Sequence, residues 1–154
     1  MTTALTDYEP LRMSVARAAR EPYRALNALD GTIALDPPLR DLVCLRASIL
    51  NGCAYCVDMH TKDARKRGET EQRLYAVAAW REAPFFDERE RAALAFTDAV
   101  TLVADGHVPR PVWDAAAEQF DEEELAQLLW AAVTINAWNR VAIATRMEPG
   151  RYEP

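Results

Sequence analysis

Helix punctuation, repeated at short intervals along the whole chain, restricts the fold of this sequence more than any other feature. Asp87 with Glu90 and Asp121 with Glu124 each place an acidic N-cap three residues before a glutamate, the pattern of a capping box. Asp36 precedes Pro37, reading as an N-cap followed by proline at the first helical position. Thr70 reads as a further N-cap, and Gly52 and Gly68 read as stops. No stretch of useful length alternates with a strand period, and only 5 glycines in 154 residues argue against a turn-rich β fold.

The spacing predicts an all-α chain of about seven to eight helices, bundled as one domain over residues 1–154. The helices are expected over about Tyr8–Arg20, from Pro22 to Ala28 (stopped by Asp30-Gly31), and from Asp36 to Leu50. Others are expected from Cys53 to Gly68, Thr70 to Trp80, Glu88–Ala104, Val112–Gln119 and Glu122–Trp138, with an irregular tail after Met147. Leu128 to Val133 is apolar around its full circumference, and Ala92 to Val103 nearly so. A helix buried on every side is hard to house in a small monomer, so these stretches read either as one central core helix or, the favoured reading, as a subunit interface.

Composition excludes several classes of function. The net charge of −6 supplies no basic face for nucleic acid and no attraction to an anionic membrane. Leu128–Ile135, the most apolar run, is too short to span a bilayer. Asp7, Glu9 and several arginines stand where a secretory signal would be apolar, and three cysteines do not make a disulfide framework. A cytoplasmic protein is expected, with thiols used for chemistry.

That chemistry is expected in the segment Asn51-Gly52-Cys53-Ala54-Tyr55-Cys56-Val57-Asp58-Met59-His60. On a helix, Cys56 and His60 fall at about 300° and 340° relative to Cys53, so the three share one narrow face. Cys56 and His60 are also an i, i+4 pair, close enough for sulfur and imidazole to meet. Free N–H groups at a helix start stabilise a thiolate, and a neighbouring imidazole adds a base or a positive charge. Such surroundings lower a cysteine pKa from about 8.5 into a range of roughly 3.5–7.5. The Cys-x-x-Cys spacing also permits a small disulfide loop.

Other readings of the same residues are inert buried cysteines, or a zinc site with Cys44 completing a Cys3His set. A thioredoxin-type motif would need a βαβ context that the chain lacks. Upstream, Asp41, Cys44, Ser48 and Asn51 fall within an arc of about 80° at helical spacing. They form either a polar stripe able to pass protons to the dithiol or a solvated face. Cys44 alone reads as a core or supporting residue, and His107 as a solvated residue in a turn. Nothing calls for a metal, flavin or nucleotide cofactor.

The block Leu39-Arg40-Asp41-Leu42-Val43, Arg46, Ser48, Asn51-Gly52-Cys53-Ala54-Tyr55-Cys56, His60, Ala64 and Gly68 resembles the carboxymuconolactone decarboxylase superfamily, and within it the alkylhydroperoxidase-D-like branch. The motif region spans about residues 36–104. The likeness continues more loosely through Trp80 and Glu88–Asp98 to Ile135-Asn136-Ala137-Trp138-Asn139-Arg140. The resemblance implies an all-α fold, homotrimers or homohexamers, and a thiol peroxidase acting on small hydroperoxides. In that reading Cys56 attacks the peroxide, Cys53 resolves the sulfenic acid as a disulfide, and a dithiol donor, thioredoxin-like or lipoyl-bearing, restores the thiols. His60, with Asp41, Tyr55 and Ser48 in support, would handle protons.

Two positions depart from the pattern of the family's peroxidases. Asp41 stands where they have glutamate, and Tyr55 where they have a histidine between the cysteines. Aspartate reaches one methylene less, and tyrosine, with a pKa near 10, relays protons less well at neutral pH. Two other functions are compatible with the sequence: a non-enzymatic dithiol sensor or assembly module, and a lyase of the decarboxylase branch.

Overall fold

The computed structural model describes residues 8–154. Among them the chain forms eight α-helices and one 3-10 turn: α1 Val15–Ala18, α2 Arg20–Thr32, α3 Pro37–Asn51, α4 Ala54–Lys66, α5 Glu71–Ala76 (continued by the turn Val77–Ala79), α6 Glu88–Thr101, α7 Arg110–Gln119 and α8 Glu122–Thr145. The all-α expectation holds. None of the described helices is long and apolar enough to cross a membrane.

The helix starts follow the caps read from the sequence. Asp87 and Asp121 each accept a hydrogen bond from the N–H three residues on, and Glu90 and Glu124 each reach back to the cap N–H. Thr70 accepts from the Arg73 N–H. Asp36 precedes α3 without a side-chain cap, and Pro37 and Pro38 occupy the first two helical positions, where an N–H has no helical partner.

Several boundaries differ from expectation. Residues 8–14 are not helical; Pro10 interrupts them and no apolar face is buried. Arg12 instead bonds the last turn of α8, its backbone N–H donating to the Thr145 carbonyl at 2.9 Å and its side chain to the Ala144 carbonyl at 3.2 Å. Pro22 lies within the first turn of α2, where the N–H it lacks has no helical partner, and the helix runs through Gly31. The helix after Thr70 passes into a 3-10 turn and ends before Trp80, and α6 stops at Thr101. α8 runs seven residues past Trp138, because Asn139, Ala142 and Thr145 continue its buried stripe.

α3, α6 and α8 form the centre. Val43, Ala93, Phe96, Leu128 and Ala132 are fully buried in one apolar cluster, and Leu42, Leu45, Val77 and Leu94 in a second. Between α3 and α6 lies an ion pair. Arg46 donates through Nε to Asp98 Oδ1 and through Nη2 to Oδ2 at 3.2 Å, and also bonds the carbonyls of Val77 and Ala78. Arg81 and the Trp80 indole complete the Asp98 carboxylate. The paired geometry compensates the desolvation that an isolated buried charge would suffer. α8 is apolar throughout its middle but buried on one side only: Leu128 and Ala132 face the core, whereas Leu129, Trp130 and Val133 are exposed.

Candidate active site

The site begins where α3 ends. Gly52 adopts φ +69°, and its N–H donates to the Ile49 carbonyl at 3.1 Å while the Cys53 N–H donates to the Ser48 carbonyl at 2.9 Å. This pair of bonds is a Schellman closure, which requires a left-handed residue that glycine adopts without strain. The chain therefore turns sharply at Gly52 and delivers Cys53 as the N-cap of α4 in extended conformation. Cys53 stands outside the helix, not on it as the angular spacing predicted. Cys56 and His60 are both on α4.

Cys53 and Cys56 are joined as a disulfide with Cα atoms 5.3 Å apart, inside the ordinary range for such bonds. The Cys56 N–H points at Cys53 Sγ, 3.3 Å away. One otherwise unsatisfied N–H of the first turn of α4 is thus directed at sulfur, which favours negative charge there when the bond is open. Both cysteines are almost wholly buried.

A seam of side-chain hydrogen bonds locks this turn to α8. Asn51 Nδ2 donates to Asn136 Oδ1 and Asn139 Oδ1, both at 2.9 Å. Asn139 Nδ2 donates to Ser48 Oγ at 3.0 Å, and Ser48 Oγ donates to the Cys44 carbonyl at 2.7 Å. Asn136 Nδ2 reaches Thr101 Oγ1 at 3.0 Å, and Arg140 holds Asn136 Oδ1. Ser48 and Asn51 thus fasten α3 to α8. The stripe Asp41, Cys44, Ser48 is buried rather than solvated.

Cys56 opens on a cavity of about 240 Å³ between α2, α3, α4 and α8. Its walls are mainly apolar, with Met59, Ile135, Trp138 and Ala142 among them, and Tyr55, Cys44 and His60 also line it. Tyr23 of α2 packs edge-on against Trp138, with ring centroids 5.3 Å apart. The His60 Nε2 is fully buried and has no hydrogen-bond partner. Burial pushes the His60 pKa down to about 4, with smaller opposing pulls from Asp63 and Asp30 and reinforcement from Arg40 and Arg67. The imidazole is therefore neutral at physiological pH, able to accept or donate a hydrogen bond, and not a standing positive charge. Burial raises the Cys44 thiol to about 12, so it stays protonated. Burial, then Tyr23 and Asp58, raises the Tyr55 phenol.

Asp41 lies on the other side of His60. It lines an adjoining cavity of about 410 Å³ that shares Asp30, Cys44, Met59 and His60 with the first. Its buried carboxylate is gripped by Arg67 through both oxygens. Among the described residues no three His, Cys, Asp or Glu side chains are grouped to hold a metal ion. His107 is exposed and lies just past the turn of residues 102–106 rather than in it. Sequence reasoning did not find the α2 wall (Tyr23, Asn27, Asp30) or Ala142 and Met147. An uninterrupted run without glycine or proline from Glu122 to Glu148 was the available signal for the last two.

Fold and dithiol turn together define an alkylhydroperoxidase-D-like protein. The chain belongs to the carboxymuconolactone decarboxylase family, whose sequence profile matches residues 20–99. It is 46% identical over 105 residues to the uncharacterized protein YdfG of Bacillus subtilis, covering 68% of this chain and 71% of that one. It is 37% identical to a protein of unknown function from Agrobacterium tumefaciens, proposed to be the antioxidant defence protein AhpD, with a TM-score of 0.89 over 92% of this chain and 99% of that one. The debrominase Bmp8, solved with 2,3,4-tribromopyrrole, is 20% identical with a TM-score of 0.76 over 89% of this chain and 76% of that one, and shares the fold.

Proposed function

We propose that the protein is a thiol-dependent peroxidase for small organic hydroperoxides, with Cys56 as the attacking thiol and Cys53 as the resolving one. The observation that carries this reading is the cavity: it exposes Cys56 and a neutral, unpartnered His60 to the same mainly apolar space and leaves Cys53 out.

In the reduced protein His60 takes the Cys56 proton and the thiolate attacks one oxygen of the peroxide. The O–O bond breaks, the alkoxide leaves with a proton as the alcohol, and Cys56 becomes a sulfenic acid. The Cys53 sulfur then attacks Cys56 Sγ, forming the disulfide and releasing water. An external dithiol, on a thioredoxin-like or lipoyl carrier, returns two electrons and two protons and becomes a disulfide itself. Asp41, fixed by Arg67 across from His60, supplies the acidic end of a path by which the imidazole exchanges protons. The exposed Leu129, Trp130 and Val133 face of α8 is where a second copy would dock in a trimer or hexamer, and a reducing cytoplasm suits the reaction.

The test is single-turnover oxidation of the reduced protein with stoichiometric cumene hydroperoxide, read by thiol count and peptide mass. The expected result is a Cys53–Cys56 disulfide in the wild type, a dimedone-reactive sulfenic acid at Cys56 in Cys53→Ser, and no oxidation in Cys56→Ser. Full turnover in either variant overturns the mechanism. A disulfide that forms once but never cycles with any dithiol indicates a sensor, and consumption of carboxymuconolactone irrespective of both cysteines indicates a lyase.

A further inference from the structure

The two cysteines of the pair line different spaces. Cys56 lines the cavity of about 240 Å³, and Cys53 does not. Cys53 lines a separate groove of about 90 Å³, with Gly52, Ala54, Ile143, Arg146 and Pro149, and Cys56 does not. The linings have three residues in common: Tyr55, Ala142 and Met147. These three also pack with both cysteines in one apolar cluster. They border both spaces, and Tyr55, the side chain between the cysteines in sequence, is the largest of the three.

We propose that the two half-reactions use the two openings separately: peroxide reaches Cys56 through the cavity, and the dithiol reductant attacks Cys53 through the groove, with Tyr55 as the dividing wall. This rests on the peroxidase reading for the oxidising half only. Cys53 is 1% and Cys56 2% exposed, and of these two spaces each cysteine lines one only. The charge at the groove suits a thiolate. Among the described residues, Arg12 and Arg146 share the single carboxylate of Glu9 at this edge, two guanidinium groups to one carboxylate. The groove is small, which selects a slender dithiol.

In the reducing step the reductant thiolate attacks Cys53 Sγ and forms a mixed disulfide. The Cys53–Cys56 bond breaks, and Cys56 leaves as a thiolate into the cavity, where it is protonated beside His60. The second thiol of the reductant then attacks its own sulfur in the mixed disulfide, and Cys53 departs as a thiol. Two electrons pass from the dithiol to the pair, and the dithiol closes as a disulfide.

The test uses the whole protein, oxidised with diamide so that the disulfide is made without any hydroperoxide. Brief exposure to 2-mercaptoethanol, acid quench and peptide mass should place the mixed disulfide on Cys53; an adduct on Cys56 overturns the proposal. Dithiothreitol reduction and cumene hydroperoxide oxidation are then timed separately. Ile143→Trp, which fills the groove from a half-exposed position, should slow reduction by about tenfold or more and leave oxidation within about twofold; Asn27→Trp, at the exposed mouth of the cavity, should do the reverse. Adding Tyr55→Ala to Ile143→Trp should restore reduction by joining the two spaces. Equal slowing of both halves by either tryptophan, or no rescue by Tyr55→Ala, also overturns it. Failure of hydroperoxide to oxidise any form sinks the peroxidase reading and leaves the diamide experiments to decide the groove.

Discussion

The cavity at Cys56 has two unlike walls. α8 opens with a capping box, buries ten residues and is stitched to α3 by the asparagine and serine seam. α2, which brings Tyr23, Asn27 and Asp30, has no fully buried residue. It is held by the edge-on contact of Tyr23 with Trp138, and by Arg40, which bonds the Asp30 carboxylate at 2.9 Å and the Asp30 carbonyl at 3.0 Å. One wall is tied into the core and fixes the sulfur turn; the other lines the cavity and is attached by a few half-buried contacts. Changes on the α2 side should therefore alter substrate entry at small expense in stability, whereas changes behind α3 and α8 should unfold the protein before they retune it.

The largest contrast is expected at the buried ion pair on the fixed side. Asp98→Ala leaves the Arg46 guanidinium buried with only carbonyl partners and should lower unfolding free energy in urea by about 3–5 kcal/mol. A loss under about 1 kcal/mol would remove the distinction between the walls.

Next comes acid. His60 titrates at about 4 in the fold against 6.5 when unfolded, so between these values the unfolded chain binds more protons. Stability should be full above pH 6.5, fall as pH drops toward 4, and lose about 3 kcal/mol from this group. His60→Gln should flatten that part of the profile, and an unchanged slope would show that the acid sensitivity resides elsewhere.

A smaller loss, about 1 kcal/mol, is expected for Asp121→Ala, which removes the α8 cap. Thermal melts at fixed pH resolve it. Smallest in stability is Asp30→Asn, which breaks the α2 ion pair and should change unfolding by less than about 1 kcal/mol. Its amide hydrogen exchange should nevertheless quicken across residues 20–32 and not across α8. Equal quickening in both helices would show that the walls move as one unit.

The site was legible in the sequence to the extent that its parts are local. Gly52, the two cysteines and the i, i+4 histidine lie within nine residues, and a Schellman turn followed by a capped helix is encoded in that short span. Ser48 and Asp41 were visible as polar residues on one face of α3, but their partners were not. Ser48 meets Asn139, 91 positions away, and Asp41 near the start of α3 meets Arg67, 26 positions away, just past the end of α4. The α2 wall was illegible for a related reason: Tyr23, Asn27 and Asp30 bear no motif, and only packing against α8 makes them a lining.

By itself the sequence determined an all-α chain with helix starts at Asp87, Asp121 and Thr70, and a cysteine pair set on the turn after Gly52. Caps and turns act over four or five residues, so their energetics are written in neighbouring letters. Only the tertiary structure decided that His60 is desolvated enough to stay neutral, and that Tyr55 borders both spaces around the sulfurs. Burial and cavity shape depend on helices distant in sequence being brought together, and no local pattern records where they meet.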